Sequence, residues 1–342
     1  MKRKSWRPRE FLAGARRYRG TLLSDLRAAD KKVLTMVMAA NTAGVVNGFV
    51  LVLLGVTRNV GPMTAACVAM LFGTPVFWFF FRPSLRSRWS LWGPALLMGL
   101  CLGANNMTYQ YSLRWVQLQL LQPLSFLFSA IFMVGSTAVQ DARNGRYSTA
   151  MWPILGMLGI WALATDTTGG EGGGTFTDAI PEIHVLGHPV PNWVLPLGCM
   201  IITAATYAYV HEKLNALDKN VGGKINTLAG IPAIAVLGVG AWALEGGWTG
   251  MTSGRWPYLL VCAGSGMFLA LLSGVVMVKA YGMGLRTSTT VMLLPLRTLL
   301  GTFLGMVVAQ TAPGLLGLAA VGLILVASCG AALIQSRKTD SG

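Results

Sequence analysis

Ten long apolar runs, divided by short polar or Gly- and Pro-bearing links, govern what this chain can fold into. They lie at roughly 33–55, 60–81, 91–112, 114–139, 148–165, 193–213, 223–244, 256–279, 287–310 and 313–334. A helix needs about 20 mostly apolar residues to cross a bilayer. In lipid, each crossing segment must satisfy its own backbone polar groups. The runs are continuous rather than alternating, which excludes a transmembrane β-barrel. Glycines interrupt several of them, and membrane helices tolerate glycine and use it for close packing. The expectation is an all-α membrane protein with ten transmembrane helices.

Charge supports this and gives an orientation. Only 11% of the 342 residues are charged, against about 25% in a soluble domain. The net charge of +15 would ordinarily point to nucleic acid or an anionic surface. Its distribution says otherwise. Residues 1–32 hold eleven basic residues and three acids, Glu10, Asp25 and Asp30. With this segment in the cytoplasm, 23 of the 27 basic residues fall on the inner side, as the positive-inside rule requires. Only Arg58, Arg114 and Arg255 fall outside, and Arg297 remains within a span. Both termini are then cytoplasmic. A soluble enzyme and a DNA-binding protein are excluded. The expected location is the cytoplasmic membrane, with no nucleic-acid partner.

The first 32 residues lack the short basic region and uninterrupted apolar core of a signal peptide. Phe11, Leu12, Ala15, Leu22, Leu23 and Leu26 are interleaved with arginine at roughly helical spacing. Two readings stay open: a basic helix lying on anionic lipid, or a disordered tail that fixes topology. The longest link, 166–192, carries Asp166, Glu171, Asp178 and Glu182 and no Lys or Arg. It falls outside, its Gly-rich start reads as a flexible connector, and it divides the membrane part into two five-helix halves, 33–165 and 193–334, with residues 335–342 as a cytoplasmic tail. Glu182, His184 and His188 lie in it, and an exposed loop is expected rather than a metal site. Cys67, Cys101, Cys199, Cys262 and Cys329 fall singly in apolar runs, as small core residues rather than disulfides or metal ligands.

The two halves share a signature. Residues 109–124 read YQYSLRWVQLQLLQPL and residues 281–296 read YGMGLRTSTTVMLLPL. Without gaps, Tyr109 pairs with Tyr281, Leu113 with Leu285, Arg114 with Arg286, Leu121 with Leu293, Pro123 with Pro295 and Leu124 with Leu296. Five helices, an odd number, separate equivalent positions. Arg114 therefore lies outside and Arg286 inside, as an inverted repeat demands.

With these features the chain resembles the drug/metabolite transporter superfamily in its EamA-type branch. The resemblance rests on VGPMTAA at 60–66, LGANNMTYQYSL at 102–113, LLQPLSFLFSAIF at 120–132, ITAATYAYVHEKL at 202–214 and LLPLRTLLGTFLG at 293–305. It implies two five-helix units with cytoplasmic termini, and looks nearest to exporters of threonine, homoserine and related amino acids. The chain departs from the family pattern in three places. Asn41 and Asn47 stand where the first helix often has a Trp-Gly pair. Ala69 or a neighbour stands where the second helix often has Arg. Leu294 precedes the ninth-helix proline, where the family often has Glu.

Candidate site residues are the polar groups within apolar runs. Arg297 sits near the centre of its run, where a cation costs about 2.5–3.5 kcal/mol on insertion scales. It either forks a substrate carboxylate or phosphate or braces the carbonyl of Val291, which Pro295 leaves without its helical donor. Gln119, Gln122, Ser125 and Ser129 share one helical face, either lining a substrate path or bonding helix to helix. Asn105, Asn106 and Tyr109 lie within one turn, as do Thr203, Thr206 and Tyr207, and Asn41 and Asn47 lie in the first run. Each reads as cavity lining or as packing glue. Tyr281 repeats Tyr109 toward the opposite face, as a gate or an interfacial anchor. No acid lies deep in a run. Glu212 and His211 sit at a helix end, away from the midplane. No nucleophile–base pair, metal spacing or phosphate loop is present, so neither an enzyme nor a cofactor is expected. The expected function is secondary or facilitative transport of a small polar metabolite by alternating access, with amino-acid export implied by the resemblance. A carrier or flippase for a phosphorylated or lipid-linked substrate is one alternative. A non-transporting scaffold with a basic tail that binds lipid or a partner is another.

Overall fold

The computed structural model describes residues 31–84, 89–116, 121, 124–125, 127–129, 131–132, 151–165, 183–185, 188–191, 194–217, 219–246, 255–283, 299–301, 303–304, 307 and 314–340. Helices α1 (Lys31–Leu53), α2 (Val56–Asn59), α3 (Pro62–Phe81), α4 (Trp89–Trp115) and α5 (Met151–Thr165) come first. A two-stranded antiparallel hairpin follows, β1 (Ile183–Val185) and β2 (His188–Val190). Then come α6 (Val194–Ala216), α7 (Lys219–Leu244), α8 (Trp256–Gly282) and α9 (Leu315–Asp340). Helices thus stand at eight of the ten expected positions. The runs at 114–139 and 287–310 lie largely outside the described residues.

Five of the described helices are long and apolar enough to cross a membrane: α1, α3, α6, α7 and α8. The 27-residue α4 has the length, but Asn105, Asn106 and Gln110 lower its apolarity. Leu53, Phe79, Val239, Leu260 and Leu315 are among many large apolar side chains left exposed. A soluble monomer does not tolerate so much exposed apolar surface, whereas lipid covers it. The chain is a membrane protein.

Local sequence explains several breaks. Gly55 adopts φ +69°, in the left-handed region that glycine enters without steric cost. This separates α1 from α2. Gly61 precedes α3 and Pro62 opens it, the position where a missing N–H costs nothing. The later part of the linker holds the hairpin. Ile183 pairs with Val190, His184 with Pro189 and Val185 with His188.

Helices α3 and α7 run antiparallel along a small-residue seam. Gly240 lies against Met63, Gly238 against Cys67, Gly230 against Thr74 and Gly223 against Phe81. Four further contacts build the bundle: α3 with α8, α4 with α7, α4 with α6, and α1 with α8. Helices α5 and α9 pack together. Buried apolar residues gather toward the two ends. One cluster includes Leu51, Val56, Leu113 and Cys262; the other includes Val37, Met98, Leu228 and Ala280. A small cluster of Ala66, Cys67 and Leu237, with Met70, Met107 and Ile234 against it, lies between them. Cys67, Cys101, Cys199 and Cys262 are free thiols; the Cys329 side chain lies outside the described residues. At the end holding the C-termini of α3, α6 and α8, Arg82 lies over Phe79, Lys213 over Tyr209 and Lys279 over Phe80. There, cations sit on aromatic faces beside apolar surface.

Candidate functional site

The polar groups of the apolar helices meet in a cavity of about 280 Å3. Its walls come from Gly44 of α1, Ala69 to Phe77 of α3, Leu102 to Tyr109 of α4, Thr203 to Leu214 of α6, Asn226 to Gly230 of α7 and Gly266 to Val278 of α8. Ser125 and Ser129 complete it. The C-terminal halves of α3, α6 and α8 and the N-terminal half of α7 supply most of the lining, so the cavity lies toward that end. The Ala66–Cys67–Leu237 cluster lies at its opposite end.

Much of the polar lining is tied down. Asn105 Nδ2 donates to the Thr203 carbonyl at 2.7 Å and to Thr206 Oγ1 at 3.2 Å. The hydroxyls of Thr108 and Thr203 share a buried 2.6 Å hydrogen bond. These bonds fasten α4 to α6, at roughly 0.6–1.7 kcal/mol each in a membrane. Thr74, Thr203, Thr227 and Ser129 donate to carbonyls four residues back, which satisfies hydroxyls on an apolar helix. Asn106 Nδ2 donates to the Leu102 carbonyl at 2.9 Å. Asn105 and Thr203 are therefore both glue and lining.

His211 is the unexpected member. The sequence places it at a helix end, yet α6 continues to Ala216 and α8 packs against it. It is buried, 9% exposed, and lines the cavity. Its Nδ1 shares a 2.7 Å hydrogen bond with the Tyr281 hydroxyl, and its ring lies 4.1 Å from that of Tyr207. It is the one imidazole, carboxylate or cationic side chain among the described lining residues. Tyr207 is its neighbour one turn back on α6, whereas Tyr281 reaches it across a contact between helices. The second unexpected feature is Leu269–Val275 of α8, a π-helical segment whose Leu269, Ala270, Ser273 and Gly274 line the cavity. Such segments are rare and cluster at functional sites.

Of the expected residues, Ser125, Asn105, Asn106, Tyr109 and Tyr207 line this cavity. Tyr281 supports it through His211 rather than lining it. Asn41 and Asn47 are buried, but α1 presents Gly44 to the cavity instead. Arg297, Gln119 and Gln122 lie outside the described residues. No group of three or more potential metal ligands occurs among the described residues.

A carboxylate clasp holds the far end of the α3–α7 seam. Glu245, just past α7, accepts from the Met63 N–H at 2.7 Å, the Thr64 N–H at 2.9 Å and the Thr64 hydroxyl at 2.7 Å. These donors belong to the N-terminus of α3, where an anion also meets the favourable end of the helix dipole. The sequence shows only an acid in a loop. Glu245→Ala is expected to lower stability by about 1.5–3 kcal/mol, the range for hydrogen bonds to a charged group. The check is the melting temperature of detergent-solubilised protein.

No protein-family model matches the chain, and no curated protein does. Among solved structures, one described only as "Crystal structure of protein" is 15% identical, covers 89% of this chain and 98% of its own, and has a TM-score of 0.49. A likeness that low carries no conclusion about fold or function.

Proposed function

We propose that the chain is an EamA-type carrier of ten helices, arranged as two inverted five-helix repeats. It exports a small polar metabolite, with amino acids as the first substrate class, by alternating access. The observation that carries this reading is the membrane-depth cavity, walled by helices from both halves and lined with amides, hydroxyls and one imidazole. A scaffold needs no such cavity. Its size of about 280 Å3 falls just below the roughly 300–1,000 Å3 of sites for drug-sized ligands, which suits a small metabolite.

The packing pattern supports the repeat. Exchanging α1 with α6, α3 with α7, α4 with α8 and α5 with α9 converts the α3–α8 contact into α7–α4. It converts α1–α8 into α6–α4, and leaves α3–α7 and α5–α9 as self-paired contacts. The close approaches follow suit: Gly266 of α8 meets Ala69 of α3, and Gly99 of α4 meets Ala229 of α7. With the basic ends in the cytoplasm, the cavity lies on the cytoplasmic side and the Glu245 clasp on the outer side. That arrangement suits loading of a cytoplasmic substrate.

The test is counterflow in proteoliposomes with a panel of labelled amino acids. Uptake above protein-free vesicles, competed by unlabelled substrate, is expected. No counterflow by folded, reconstituted protein across the panel would sink the amino-acid reading. Counterflow of phosphorylated metabolites in the same screen would move the substrate class to them.

A further inference from the structure

Three arginines from separate parts of the chain meet at one cavity, away from the site above. Arg58 of α2, Arg114 in the last turn of α4 and Arg255 at the N-cap of α8 line a space of about 350 Å3, with Thr64, Tyr111 and Glu245. Glu245 is the one carboxylate among the described lining residues, set against three guanidinium groups. Of 27 basic residues, these are the three that the charge distribution assigns to the outer side. Topology is served by keeping that side poor in cations. It gives no reason for the few that remain to converge.

The chemistry of the cluster selects its ligand. Guanidinium groups are planar, stay charged at any physiological pH and present paired donors that match carboxylate and phosphate oxygens. All three side chains are exposed, so they shed little buried structure to engage a ligand. The cavity is framed by α2, α3, α4, α7 and α8, with the exposed apolar side chains of Trp242 and Leu244 along one edge. We propose that it is a binding site for a small soluble oxyanion, a carboxylate- or phosphate-bearing solute, on the face opposite the central cavity. The convergence of the arginines is geometric and stands whether or not the protein transports amino acids.

The test reads binding alone. The full chain is purified in a neutral detergent and titrated calorimetrically with inorganic phosphate and with succinate. Saturable binding is expected for at least one of them, weakened about tenfold in each of Arg58→Gln, Arg114→Gln and Arg255→Gln and lost in the triple variant. The corresponding lysine variants keep the charge but not the fork, and are expected to bind with intermediate strength. Size-exclusion profiles and melting temperatures identify the variants that remain folded. Three results overturn the proposal: no saturable binding of either anion by folded wild-type protein, binding that survives the triple substitution, or binding only of phosphatidylglycerol in bicelles. The last would assign the arginines to lipid headgroups.

Discussion

Gly266→Ala in α8 is expected to abolish a stable, monodisperse protein. A Cβ at this position overlaps the backbone carbonyl of Ala69 in α3, and a backbone atom cannot swing aside as a side chain can. The opposite wall has little slack. A Cβ on Gly73 would itself stand 3.0 Å from the Gly266 carbonyl. The two helices must separate, opening voids along a contact that also borders the cavity. Overpacking ordinarily costs about 1–3 kcal/mol and occasionally more. A collision with main chain belongs at or beyond the top of that range, a large share of the roughly 5–15 kcal/mol that holds a native domain. Fluorescence-detected size exclusion and a thermal melt provide the measurement. Gly264→Ala is the control two residues away, where a Cβ meets nothing within 4 Å. There, alanine should be neutral or stabilise by up to about 1 kcal/mol through its better helix propensity. If both variants melt like wild type, the α3–α8 approach described above is wrong.

The second large effect is expected at His211 and Tyr281. Their 2.7 Å hydrogen bond is buried, and either truncation removes it. A hydrogen bond contributes about 0.5–1.5 kcal/mol net. His211→Phe and Tyr281→Phe should each destabilise the protein, and the double variant should lose less than their sum, with a coupling of about 1 kcal/mol. Transport distinguishes the two residues. His211 lines the cavity and Tyr281 does not. His211→Phe is therefore expected to reduce counterflow about tenfold or more, equivalent to roughly 1.4 kcal/mol. Tyr281→Phe, which keeps the imidazole in place, should reduce it less. Equal transport losses in the two single variants would make His211 a packing residue. Additive stabilities would mean the bond contributes nothing of its own.

The helices were legible because lipid leaves a chain few options. A long apolar run with satisfied backbone is a helix, and the eight helices that stand at expected runs begin and end near the expected bounds. The exceptions are informative. Lys219 to Gly222 extend α7, and Gln335 to Asp340 extend α9, since hydropathy marks the edge of lipid and not the last hydrogen bond. Much of the cavity was also legible. Asn105, Asn106, Tyr109, Ser125 and Tyr207 are polar groups that an apolar helix hides from lipid, and all five reach it. What stayed hidden depends on tertiary contact. His211 looks terminal until α8 covers it. Glu245 looks like a loop acid until α3 presents its N-terminus. Arg58, Arg114 and Arg255 look like three unrelated outer charges until three helices bring them together. Asn47 could be read either as cavity lining or as packing glue; it is buried, and Gly44 is the residue of α1 that lines the cavity.

The π segment of α8 sets the phase of everything below it. A π turn holds more residues than an α turn, and in a regular helix each residue turns the face by about 100°. Rewinding Leu269–Val275 as regular α-helix at unchanged length would swing Val276–Gly282 around its axis by roughly that angle. Tyr281 would leave the side on which His211 waits. Its partner is thus chosen by an irregular turn two helical turns away rather than by its own neighbours in the chain. The burial of Met277, Val278 and Ala280 on the same segment hangs on that irregular winding as well.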